Sequence, residues 1–75
     1  MSNLSPAQVQ LKLQLDDAGS GVTYVGEAAP GTTNGQSYWR IKKIVETGDD
    51  ITITWADGNT DFDNIWNNRV SIVYS

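Results

Sequence analysis

From Val9 onward, apolar and polar residues alternate without a break: Val9, Leu11, Leu13 and Leu15 against Gln10, Lys12, Gln14 and Asp16. A period of two over eight residues predicts a strand with one apolar and one polar face. Gln, Lys and Leu are also good helix formers, so a helix is the competing reading, and the strictness of the alternation decides for strand. Asp16-Asp17-Ala18-Gly19-Ser20-Gly21 is turn chemistry, and Val22-Thr23-Tyr24-Val25-Gly26 is a short β-branched and aromatic second strand. Ala29 to Gln36 forms a loop marked by Pro30-Gly31 and Asn34-Gly35. Ser37 to Glu46 is the central strand. In it Trp39 and Ile41 share a face and Ile44 stands out of step, so a β-bulge near Lys42-Lys43 is expected to return Ile44 to the core.

Thr47-Gly48-Asp49-Asp50 makes a hairpin turn into Ile51, Ile53 and Trp55, which alternate with Thr52 and Thr54. After the turn Asp57-Gly58-Asn59-Thr60, Phe62, Ile65 and Trp66 fall at i, i+3 and i+4. That spacing predicts one helical turn, capped by Thr60 or Asp61. Val70, Ile72 and Tyr74 are in phase for a last strand. The expected fold is therefore all-β: a small five-stranded antiparallel barrel or sandwich, SH3-like in element order, with one short helical turn before the last strand. Residues 1–8, polar and interrupted by Pro6, are expected to be a flexible arm on a single domain spanning 9–75. The predicted core is Trp39, Ile41, Ile51, Ile53, Trp55, Phe62, Ile65, Trp66, Val70 and Ile72.

Size changes this picture. A chain of 75 residues rarely gains more than ~3–5 kcal/mol from one core. With no cysteine and no histidine, neither a disulfide nor a thiolate or imidazole metal site can staple it. Association with copies of itself or with a neighbour is the remaining source of buried area. A net charge of −4 repels polyanions, so nucleic acid is not an expected partner. No apolar run approaches a membrane span, and Met1 to Pro6 has neither a basic nor an apolar signal region. Synthesis in the cytoplasm without a membrane partner is the expectation.

Candidate chemistry is sparse. Without His or Cys, the commonest general base and the strongest nucleophile are absent, and no phosphate, dinucleotide or hydrolase motif occurs. No catalytic or cofactor-binding residue is assigned, and no enzyme activity is expected. Asp57, Asn59, Asp61 and Asp63 alternate like the start of a calcium loop. Phe62 replaces its glycine and Asn68 its bidentate glutamate, and turn formation with N-capping explains the same residues. Arg40, Lys42 and Lys43 beside Tyr38 and Trp39 resemble a strip for single-stranded nucleic acid. Alternation, however, sends Arg40 and Lys42 to the face opposite Trp39. Tyr24, Tyr38, Tyr74 and Arg40 are the interface candidates, since tyrosine and arginine are common at protein contacts.

Several strings then matter together: Tyr24-Val25-Gly26-Glu27-Ala28-Ala29-Pro30-Gly31, Trp39-Arg40-Ile41, Trp55-Ala56-Asp57-Gly58, and Phe62-Asp63-Asn64-Ile65-Trp66-Asn67-Asn68-Arg69 before the final Tyr74-Ser75. In this order the chain resembles a group of short virion-associated β proteins of tailed bacteriophages over residues 21–75. The resemblance implies a structural component of the virion, a tail-side or fibre-attachment module or a head (capsid) decoration. Its expected partners are other phage structural proteins and further copies of itself. The alternatives from composition are a small intracellular module that captures a host or phage protein, and a carbohydrate-binding attachment module using exposed aromatics.

Overall fold

A computed structural model of the chain describes residues 10–75. The arm expected over residues 1–8, and Val9 at the start of the first alternation, lie outside the described residues. Four strands form one antiparallel sheet in chain order: β1 (Lys12–Gly19), β2 (Val22–Ala28), β3 (Arg40–Thr47) and β4 (Asp50–Trp55). The chain is mostly β, as the alternation predicts, and a single 3-10 turn, Trp66–Asn68, is the one helical element among the described residues.

Turn chemistry sets the register. Ser20 and Gly21 join β1 to β2 with φ of 54° and 78°, the pair of positive values that matches the twist of the flanking strands. Gly48, φ 60°, opens the two-residue loop between β3 and β4. Pro30 and Gly31, with Gly31 at φ 90°, make a tight turn closed by the Thr32 amide donating to the Ala29 carbonyl at 3.1 Å.

No bulge interrupts β3. It pairs continuously with β2 from Arg40 to Val45 and with β4 from Lys42 to Thr47. Ile41 and Ile44 therefore stand on opposite faces, and the irregularity lies instead in β1, between Asp17 and Gly19. The predicted return of Ile44 to the core is corrected: both faces of the sheet carry apolar residues.

The core lies on one face. Trp39, Ile41, Trp66, Tyr24, Ala28 and Ala56 are buried together there, with Val22, Ile72 and Tyr74 packed at the margin. Loop 29–39 and the C-terminal segment cover this face. Backbone bridges hold them: Trp39 pairs with Asn64 and Ala56 with Tyr74. The last strand expected over Val70–Tyr74 is reduced to that second bridge, in which the Trp55 amide donates to the Ser75 carbonyl and the Asp57 amide to the Val73 carbonyl. With so short a pairing, the sheet among the described residues is open and four-stranded, and the five-stranded barrel is not formed.

The helical turn also differs from its expected form. It starts at Trp66, Ile65 occupies the cap position, and no side chain caps it. The expected caps Thr60 and Asp61 lie outside the turn, and the Asp61 amide bonds instead to Asn59 Oδ1 at 2.9 Å.

Candidate interaction surface

The polar side of β1 faces the covering loops, and the reason is visible atom by atom. Lys12 Nζ donates to the Thr32 carbonyl at 3.0 Å and lies over the Trp39 ring at 5.6 Å from its centroid. Gln14 Nε2 donates to Asn34 Oδ1 at 3.0 Å. Asp16 accepts from Arg69 Nε at 3.0 Å, while Arg69 stacks over Trp66 at 4.5 Å and donates to the Trp66 carbonyl. These three residues act as clasps that hold loop 29–39 and the C-terminal segment onto the sheet, while their stems add cover.

Because side chains alternate, the opposite face of β1 is left to Leu13 and Leu15, which are 58% and 66% exposed. Strand pairing carries the same face across the sheet. Leu15 lies in a row with Val25, Lys42 and Trp55, and Ile44 is beside Ile53, with Ile51 beyond, next to Glu46. Ile51 and Ile53 are 64% and 52% exposed. Both were expected in the core, and the correction follows from register: they share the face of Ile44, opposite that of Ile41. The chain thus presents a sheet face whose two flanks are apolar and bare.

Between those flanks lies a short charged row. Arg40 Nε donates to Glu27 Oε1 at 3.0 Å. The guanidinium is held between Phe62, 4.6 Å from its ring centroid, and Trp55 at 5.5 Å. Lys42 Nζ also lies over Trp55, at 5.4 Å. Cation–π contacts of this kind are worth roughly 0.5–1 kcal/mol at exposed sites. Arg40 and Lys42 are thus grouped with Trp55 and Phe62, while Trp39 is fully buried on the other side. Arg40, an expected interface residue, is half-buried and paired with the Glu27 carboxylate.

The remaining candidates separate. Tyr24, expected at an interface, is 6% exposed and belongs to the core, tilted against Tyr74 at 5.8 Å; its strand position faces the covered side. Tyr74 is half-buried and donates to the Arg69 carbonyl at 2.7 Å. Burial and the neighbouring Tyr24 push its hydroxyl up to about 12. Tyr38 is exposed. Of the other expected core residues, Trp55, Ile65 and Ile72 are half-buried, whereas Phe62 and Val70 are exposed. Phe62 is held outward as a plate for Arg40, and Val70 lies just past the 3-10 turn in a segment without a covering layer.

Asp57, Asn59, Asp61 and Asp63 lie along a turn segment. Asp57 has φ 59°, Asn59 caps Asp61, and Asp63 accepts from Asn64 Nδ2 at 3.2 Å. No three acidic side chains among the described residues are grouped to hold a metal ion. Nor do the described residues enclose a pocket. What the surface offers chemically is contact area: apolar flanks, a neutralised ion pair and a half-exposed indole.

Periodicity put Leu13 and Leu15 on one face of a strand but named them neither as core nor as interface residues, so the strongest candidates for contact were absent from the residues expected to make it. The signal for the two-sided sheet was the phase break between Ile41 and Ile44, a real change of face. No protein-family model, curated protein or solved structure matches the chain.

Proposed function

We propose that this chain is a structural component of a tailed bacteriophage particle that acts through protein–protein contacts and not by catalysis. On this reading it is made in the host cytoplasm and carried in the virion, as a tail-side or fibre-attachment module or a head decoration. The observation that carries the contact function is the pair of exposed apolar flanks on one sheet face, Leu13 and Leu15 on one side and Ile51 and Ile53 on the other, with the Glu27–Arg40 pair and Lys42 between them. Monomeric soluble proteins rarely leave contiguous apolar patches beyond a few hundred Å² exposed, and larger ones mark interaction sites. The second layer of the sandwich anticipated from the strand pattern is then supplied by another chain. The motif order from Tyr24 to Ser75 supports the phage assignment.

An antibody to the protein tests this directly. It should detect the chain in particles purified through a density gradient, and label one defined place in negative-stain images. Absence from particles, with the protein left in the lysate on a host partner, would replace the reading by that of an intracellular capture module.

A further inference from the structure

We propose that a second copy of this chain pairs with the outer edge of β1, antiparallel and about a two-fold axis normal to the sheet, so that two four-stranded sheets become one of eight strands. The pairing rests on the contact function proposed above and names one partner for it.

Among the described residues nothing pairs with that edge. The phase of the backbone decides which groups it presents. The Glu46 amide donates to the Gly21 carbonyl at 2.9 Å, so the residues bonded to each other between β2 and β3 are Thr23 with Ile44, Val25 with Lys42 and Glu27 with Arg40. The Ala56 amide, donating to the Ile41 carbonyl at 2.9 Å, gives the same phase from β4. Tyr24, Gly26 and Ala28 therefore turn their amides and carbonyls to Asp16, Gln14 and Lys12 of β1. Leu13 and Leu15 are left with theirs pointing out of the sheet. The opposite edge is shorter. Trp55 exchanges both of its bonds with Ser75 at 3.1 Å and the Asp57 amide donates to the Val73 carbonyl, so only Ile51 and Ile53 stay open in β4.

One register satisfies backbone, apolar and charged groups together. With Gln14 opposite Gln14 of the second copy, Leu13 exchanges two backbone bonds with the second copy's Leu15, and Leu15 with its Leu13. The same pairs bring four leucines side by side on the open face, where Leu13 and Leu15 are 58% and 66% exposed in the single chain. On the covered face each Lys12 stands opposite the second copy's Asp16, in the pairs between the bonded ones, where Cα atoms approach to about 4.5 Å. The joint ends where Leu11 meets Asp17, at the irregularity that already breaks the β1–β2 ladder. A slip of two residues one way sets Gln14 against Lys12 and Gln10 against Asp16, leaving both charges without a partner. The same slip the other way sets Leu13 against Asp17. The two-fold exchange closes after two copies, and the leucine flanks merge into one apolar strip.

The test uses the full 75-residue chain, with far-ultraviolet circular dichroism as the check on folding. In sedimentation equilibrium at high micromolar concentration the wild type should reach a mass of two 8.2 kDa chains. Leu15→Pro removes an amide that the single chain does not use, and proline is tolerated on an edge strand whose N–H faces outward. It should raise the dissociation constant about 100-fold and leave the spectrum unchanged. Register is read by oxidation, because the chain has no cysteine. Gln14→Cys puts a single thiol within disulfide reach of its own copy, whereas the Cα atoms of Leu13→Cys lie about 8 Å apart, beyond that reach. Gln14→Cys should therefore form a linked dimer about 10-fold faster or more than Leu13→Cys, and than Thr52→Cys, which reports pairing through β4. A wild type that stays monomeric at millimolar concentration overturns the proposal, as does linking of Leu13→Cys or Thr52→Cys as fast as that of Gln14→Cys. A monomer that is nonetheless present in purified particles removes the pairing and leaves the particle assignment standing; a linked Gln14→Cys dimer missing from particles upholds the pairing and removes the assignment.

Discussion

Gly26 occupies a place where a side chain has no room. A Cβ there would lie 2.5 Å from Trp66 Cε3 and 2.9 Å from Trp39 Cε3, so the glycine lets both indoles lie on β2, their ring centroids 5.6 Å apart. Gly26→Ala should therefore cost about 1–3 kcal/mol through overpacking, measured by urea denaturation followed through tryptophan fluorescence. The tryptophans should respond unequally. Trp39 is fully buried and bonds through Nε1 to the Thr33 carbonyl at 2.9 Å, so Trp39→Ala should cost about 3–5 kcal/mol and leave the chain unfolded at room temperature. Trp55 is half-buried on the open face, and Trp55→Phe should retain a cooperative transition.

Tyr74 supplies a pH test at the same scale. Its hydroxyl is pushed up to about 12, first by burial and then by Tyr24, so the fold favours the neutral phenol. The unfolded chain releases that proton near pH 10, the folded chain only near 12. The stabilisation is thus fully present below about pH 10 and is lost as pH rises from there through about 12. Thermal melts of the wild type should fall across that window, and Tyr74→Phe should flatten the fall. An equally steep decline in the variant would show that another group is responsible.

At the scale of elements, β1 shows how far periodicity reaches. Strict alternation identified it as a strand with two unlike faces, and the strand is present from Lys12 to Gly19. Which face turns inward depended on partners about 20 and 53 positions away, Thr32 and Asn34 for Lys12 and Gln14 and Arg69 for Asp16, and no local pattern contains them. β3 held the complementary clue, since Ile41 and Ile44 differ in phase because the sheet has apolar groups on both sides. Turn residues were more transparent. Gly21, Gly31 and Gly48 each adopt the positive φ that glycine allows at no steric cost. Gly21 is also packed, a Cβ there falling 2.6 Å from the Glu46 carbonyl oxygen. Gly21→Ala should accordingly destabilise the β1–β2 hairpin, seen as faster amide exchange in β1 and β2 than in β3 and β4. Uniform acceleration across all four strands would assign the effect to global unfolding.

At the scale of the whole molecule, a core of Trp39, Ile41 and Trp66 under loop 29–39 and the C-terminal segment leaves Leu13, Leu15, Ile51 and Ile53 exposed on the opposite face of the sheet. The two faces should therefore answer the same substitution differently. Ile53→Lys should change the stability of the single chain by no more than about 0.5 kcal/mol, as surface changes usually do. Ile41→Lys, at a fully buried position, should abolish folding, because the ammonium loses its hydration without gaining a partner. Equal tolerance at both positions, read by circular dichroism, would mean that the core has been placed on the wrong face.

Strand content and the two hairpin turns were already settled by the order of residues, because alternation and turn chemistry act locally. The inward face of β1, the burial of Tyr24, the outward Ile51 and Ile53 and the lack of a full fifth strand among the described residues were decided only in three dimensions. Burial is a property of what lies on top of a strand, and here the covering residues come from distant loops held by three polar side chains.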